Sequence, residues 1–207
     1  MRGRYSFIFV LILALPPLGA DARNKPDNDA IARESIVETS PALAPFQHVR
    51  FCLRYPQDCQ ANSTKNRPIK PQMMELLIGV NHRVNRLINP RSKAYDDSPY
   101  ESWTIAPEMG DCNDYAVTKR HELLMRGLPA SALRLSVAKT ADGVGHLVLV
   151  VTTTVGNLVM DNLTDKIMPW QMTDYRWIKV QSTNDPHLWI GIEQPVVGAY
   201  AERVAKP

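Results

Sequence analysis

The chain lacks the paired ligands on which tight metal sites are usually built. Among three cysteines and five histidines there is no Cys-x-x-Cys and no His-x-x-x-His, so a zinc centre is not expected. It also lacks a long basic run or a basic amphipathic stretch. Its 24 basic and 21 acidic residues leave a formal charge of +3, which argues for neither nucleic acid nor a membrane surface as partner. The apolar N-terminal run over residues 7–15 is too short for a membrane span, which needs roughly 20 residues. Internal repeats and a dividing linker are missing too, so a single domain is the economical reading.

What is present begins with a processing signal. Arg2 and Arg4 precede the apolar run, and residues 16–22 end in the small-x-small step Ala20-Asp21-Ala22. That order describes a cleavable secretory signal over residues 1–22, with an uncleaved anchor as the alternative. Cleavage after Ala22 leaves 185 of the 207 residues, enough for one domain with a real core, and lowers the formal charge to +2. Residues 23–45 are polar, with three prolines, and read as a flexible leader in which only 31–37 suits a turn of helix. The domain is then expected over 46–207.

An odd number of cysteines in an exported chain is informative. Cys52 and Cys59 lie in a loop-like, proline-containing segment and are spaced to close a small disulfide ring in an oxidising compartment. Cys112 is left over, as a buried inert thiol or as a reactive one. The apolar positions Met73, Leu76, Leu77, Val80, Val84, Leu87 and Ile88 recur at three and four, which predicts an amphipathic helix over 72–88, ended by Asn89-Pro90. Residues 91–109 read as irregular. Asp111 is the expected N-cap of a second helix, with Asp114 in a capping-box position and Gly127-Leu128-Pro129 as its stop. Strands are predicted around 133–137, 147–151, 158–160 and 175–180, giving an α+β domain with an antiparallel sheet.

Cys112 thus falls in the first turn of a helix, beside unpaired N–H groups and the positive end of the dipole, where a thiolate is favoured. Asp111 and Asp114 oppose that ionisation. The dipole, an imidazolium at His146 or a bound cation would each offset them. His146 follows Gly143-Val144-Gly145 at the mouth of a strand, facing a cleft or else solvent. Asp161 ends the next strand, just past a turn over 154–156. With an even number of residues in that turn, His146 and Asp161 share a face; with an odd number they do not. On one face, the pair would serve a cysteine nucleophile as base and orienting carboxylate. His48, His82, His121 and His187 have no partner at such spacing, and His82 and His121 are expected to be solvated. Asn62-Ser63-Thr64 fits a glycosylation acceptor in a host that glycosylates.

The chain resembles the bacterial transglutaminase-like cysteine peptidases. The matching segments run in order: Phe51-Cys52 with Pro56 and Cys59, Val80-Asn81 with Val84-Asn85, and Trp103 with Pro107-Glu108. Gly110-Asp111-Cys112 with Asp114-Tyr115-Ala116 follows, then Gly127-Leu128-Pro129, Leu133-Arg134, His146-Leu147-Val148-Leu149 and Met160-Asp161-Asn162. The resemblance implies a papain/transglutaminase-like fold with the nucleophile at a helix N-terminus, packed against a sheet carrying His and Asp. It implies an exported cysteine endopeptidase acting through Cys112, His146 and Asp161 on a protein substrate of the cell-surface adhesin type, with a membrane-associated regulator and a monomeric state as further expectations. Acyl transfer to an amine, and a non-catalytic binding module on the same fold, are the alternatives. No cofactor is required. Calcium is the one ion the resemblance raises, with Asp111 in the place of its first ligand. Asn113 stands where the family has a glutamate, and it offers an amide oxygen without charge.

Overall fold

The run from Leu147 to Val151 is apolar at every position, which a strand tolerates only when both its faces are covered. The computed structural model, which describes residues 35–61, 67–91 and 102–195, provides both covers. This run lies in β5 (Gly145–Thr153), flanked by β4 (Leu133–Lys139) and β6 (Gly156–Met160). Leu147, Leu149 and Val151 point to one side and join Leu133 and Leu135 under the helices. Val148 and Val150 point to the other and meet Val159, Trp177 and Val180. Beyond these lie β8 (Arg176–Gln181), β9 (Trp189–Ile192), β7 (Met168–Pro169) and β1 (Glu38–Ala42). The sheet order is β1-β9-β8-β4-β5-β6-β7, antiparallel throughout. The expected signal over 1–22 and the Asn62-Ser63-Thr64 acceptor lie outside the described residues.

Three helices cover the first face. α1 spans Phe46–Arg54, α2 Met74–Leu87 and α3 Cys112–Met125. In α2 the buried positions Leu77, Val80, Asn81 and Val84 form the stripe that the periodicity predicted. The chain then leaves the helix at Ile88 and enters the short parallel pair β2 (Asn89–Pro90) and β3 (Met109–Gly110). α3 ends as its sequence indicates. Gly127, at φ 79°, donates its N–H to Leu124, and Leu128 donates to Leu123, a Schellman closure that satisfies two orphan carbonyls.

Two expectations are corrected. The segment around Cys52 is helix rather than loop, because His48, Phe51 and Cys52 recur at three and four and bury one face of α1. Cys59 follows in a 3-10 turn, Pro56–Cys59. The polar leader over 23–45 does not extend to 45: Glu38–Ala42 pairs with β9 as the edge strand, and Ile36 is buried against the second face. Exposed edge strands carry few apolar residues, which is why Glu-Thr-Ser-Pro-Ala gives no strand signal.

Cys52 and Cys59 are joined, with Cα atoms 5.5 Å apart, and Cys112 is free and buried. The ring holds the 3-10 turn where Asp58 meets α3: Arg120 donates to the Asp58 carbonyl and His121 Nδ1 lies 3.0 Å from its carboxylate. Replacing both cysteines by serine should therefore cost about 2.5 kcal/mol, the loop-closure entropy of so short a ring. Denaturant unfolding at equal m-value measures it, and an unchanged midpoint would show that the bond contributes nothing.

Candidate active site

Cys112 owes its place to the cap of α3. Asp111, extended at φ −109°, accepts a hydrogen bond from the Asn113 N–H at 2.9 Å, and Asp114 in turn accepts one from the Asp111 N–H at 3.0 Å. This is the reciprocal closure read from the sequence. Asp114 does more than close it. Its other oxygen accepts from the Thr104 N–H at 2.8 Å, and one turn on Thr118 accepts from the Ala106 N–H at 2.8 Å. Residues 103–106 are thereby pinned along α3, with Ala106 held at φ 48°. Trp103 enters the same buried cluster as Cys112, its ring 6.2 Å from Phe51 and 5.8 Å from His48. Gly110 is dictated by this packing, since a Cβ there would stand 2.6 Å from the Asp114 carboxylate. Burial lifts Asp114 to about 6 even though both N–H bonds and the Arg91 charge favour its ionised form.

His146 and Asp161 come from the β5–β6 hairpin. Thr153 pairs with Gly156, so the turn holds two residues, Thr154 and Val155. The even turn puts both on one face, and His146 Nε2 lies 2.8 Å from Asp161 Oδ1. Both side chains are buried. Burial works to lower the His146 pKa, but the hydrogen bonds to Asp161 and Cys112, with the charges on both, outweigh it and raise His146 to about 9. Nε2 is engaged by Asp161, which leaves Nδ1 for the sulfur. Asp161 moves the opposite way. Burial opposes its ionisation, while His146, the Tyr175 hydroxyl and the Leu163 N–H hold it below the usual carboxylate range.

The loop after Asp161 is fastened to α2. Asn85 donates to the Asp161 carbonyl at 3.0 Å and to the Asp165 carboxylate at 2.8 Å, and Asn81 donates to the Asp165 carbonyl at 3.1 Å. Beneath them lies Lys119, fully buried, its ammonium without a hydrogen-bond partner among the described residues. Burial pulls it down to about 7 against the charges of Asp161 and Asp165. Tyr175 is a site residue that the sequence reading placed only in a strand. Its hydroxyl donates to Asp161 Oδ2 and its ring meets His146 edge-on at 5.3 Å. No sequence signal marks it, because the contact spans 14 residues across a loop, the short β7 and a 3-10 turn.

The remaining histidines stay apart. His82 and His121 are both half-buried, and His121 also pairs with the buried Asp58; His187 is exposed beside Asp185; His48 is buried between Cys52 Sγ at 3.3 Å and Trp189. For a cation, Asp111 and Asn113 bring one carboxylate with Oδ1 spent on the cap, one amide, and a neighbour, Asp114, whose two oxygens are both engaged. Among the described residues the one cluster of three His, Cys, Asp or Glu ligand atoms is His48, Cys52 and Cys59, two of which form the disulfide. Calcium takes six to eight oxygens, so these donors fall short of a tight calcium site.

A family model described as bacterial transglutaminase-like cysteine proteinase matches residues 38–196. No curated protein is matched. Six solved chains are. LapG of Legionella pneumophila is 24% identical, with a TM-score of 0.50 over 57% of this chain and 67% of that one. Its calcium-bound form is 22% identical with the same score, over 64% and 80%, and an EGTA-treated form also matches. At these identities the likeness carries the fold.

The pair sets a pH dependence. A histidine raised from 6.5 to about 9 lends stability that is whole below pH 6.5 and is lost as the pH climbs through 9. The gap in melting temperature between the parent and His146→Gln should therefore narrow from pH 6.5 to 9. A gap that stays constant across that range would show that His146 carries no such linkage.

Proposed function

The chain belongs to the bacterial transglutaminase-like cysteine proteinases, and from that premise we propose that Cys112, His146 and Asp161 cleave a polypeptide through a thioester acyl-enzyme. One observation carries the assignment: His146, buried, holds Asp161 at 2.8 Å on Nε2, and interaction with the Cys112 sulfur helps to raise its pKa. In this reading His146 already holds the Cys112 proton at neutral pH, and the sulfur attacks the scissile carbonyl as its thiolate. The developing oxyanion is met by the Cys112 N–H, which as a first-turn donor has no intrahelical acceptor. His146 returns the proton to the leaving amine, and water, activated by the same imidazole, then releases the acyl group. Asp161 keeps the ring in the tautomer and plane that both transfers need.

Export supports a substrate outside the cytoplasm. The basic, apolar and small-residue order of residues 1–22 is that of a secretory signal, and the Cys52–Cys59 bond suits an oxidising compartment. Among the described residues no helix is long and apolar enough to cross a membrane. A cell-surface protein of the adhesin type is the substrate class we infer, with calcium outside the catalytic steps because the donors at Asp111 and Asn113 are too few. Transfer to an amine uses the same three residues and is the second outcome to test.

A strain carrying Cys112→Ala should lose specific new N-termini from its exported proteome while the purified variant melts like the parent; an unchanged set of N-termini would remove the peptidase reading. Incorporation of a labelled amine that depends on Cys112 would favour transfer instead. For the ion, EGTA should leave cleavage unaffected and calcium should raise the melting temperature only at millimolar concentration, the range of weak sites. Activity lost to a chelator and restored by micromolar calcium would contradict the donor count.

A further inference from the structure

Tyr175 stands outside the three residues above, yet it touches two of them. Its hydroxyl donates to Asp161 Oδ2, the carboxylate oxygen that His146 does not use. Its ring sets an edge against the His146 imidazole, centroids 5.3 Å apart at 65°. The ring is itself rooted: it packs on Trp177 at 6.0 Å, and Trp177 packs on Trp170 at 6.0 Å, both tryptophans buried in the cluster on the second face of the sheet. An aromatic file thus runs from that second core, through Tyr175, to the base of the catalytic system.

Each contact constrains a different freedom. Asp161 Oδ1 accepts from His146 Nε2 and from the Leu163 N–H at 3.1 Å. With only that oxygen held, the carboxyl could still rotate about its bond to Cβ. The Tyr175 bond on Oδ2 removes the rotation. It also draws charge from the carboxylate, so that Asp161 holds the imidazolium proton less tightly than an unassisted aspartate would. A base that must give its proton back to a leaving amine benefits from that restraint. The edge-on ring, meanwhile, opposes tilting of the imidazole out of the plane shared with the sulfur. We propose that Tyr175 is a positioning residue for the peptidase reaction, fixing Asp161 through its hydroxyl and the His146 plane through its ring. The proposal rests on the reading of Cys112, His146 and Asp161 as the catalytic set.

The test follows the His146 ring directly by NMR of protein labelled with 15N-histidine, in the parent, Cys112→Ala, Asp161→Asn, Tyr175→Phe and Tyr175→Leu. Tyr175→Phe keeps the ring against His146 and Trp177 and so keeps the fold. Freed of the hydroxyl, Asp161 should hold the proton harder, and the His146 titration should move up by roughly half a unit. Turnover of the substrate found by N-terminal profiling should fall roughly tenfold in kcat with KM unchanged, the mark of a lost proton-transfer contribution. Tyr175→Leu should lose further activity through the ring. A His146 titration in Tyr175→Phe that stays put or falls, or a change confined to KM, overturns the proposal. The controls separate it from its premise. If His146 in the parent responds to neither Cys112→Ala nor Asp161→Asn, the catalytic reading fails and takes the proposal with it; if it responds to both and ignores Tyr175→Phe, the proposal alone fails.

Discussion

One buried carboxylate organises the start of α3, where the proposed nucleophile stands. Asp114 closes the cap of α3 from inside and reaches across to the Thr104 N–H. The start of the helix and the segment carrying Trp103 are therefore set by the same two oxygens. Burying a carboxylate is costly unless its lone pairs are met, and here two backbone N–H groups meet them. The surroundings are tailored to it in turn: residue 110 has no room for a Cβ beside that carboxylate. Cys112, placed between Asp111 and Asp114, has almost no positional freedom left, since the residues on either side are bonded to the cap.

The proposed base, His146, is fixed by a different kind of constraint, the register of a hairpin. Side chains alternate along strands, so one residue more in the turn would send Asp161 to the face opposite His146. The Thr153–Gly156 pairing excludes that, helped by a glycine at φ 121° and by the Thr153 hydroxyl donating to the Gly156 carbonyl at 2.8 Å. Beyond Asp161 the chain enters an irregular loop, where the register no longer acts. There Asn81 and Asn85 take over, donating from α2 to its carbonyls. Local cap, hairpin register and asparagine clamp thus place the three residues by three independent means.

How much of this the sequence made legible follows from the range of each interaction. The cap of α3, its glycine stop and the α2 stripe depend on residues within about one turn of each other, and all were readable. The continuous run at 147–151 announced a strand buried on both faces. The turn between β5 and β6 was not settled, because two-residue and three-residue turns both suit Thr-Thr-Val-Gly. β1 was missed since an exposed edge strand carries no alternation, and α1 since a proline and two cysteines suggested a loop. The partner of His121 leaves no trace in the sequence because Asp58 lies 63 residues away. Tyr175 was illegible for the same reason: a bond made by the fold leaves no spacing in the chain.

The sequence also posed an electrostatic difficulty, two acids flanking a thiol that must carry negative charge to react. Asp114 has its lone pairs drawn toward backbone N–H groups and, through burial, is lifted to about 6, so its charge is held more weakly than an exposed aspartate's. Asp111 turns one oxygen onto the Asn113 N–H. The sheet supplies a counter-charge: Asp161 and Cys112 raise His146 to about 9 against its burial, which favours its imidazolium at neutral pH. A cation placed directly on a nucleophile does more for its anion than one held beyond a capping carboxylate, because the interaction falls with distance and grows with burial. On that ground the asparagine at 113 is tolerable. An imidazolium beside the Cys112 sulfur would offset the flanking acids from inside the protein, whatever ion Asp111 and Asn113 hold at the helix start.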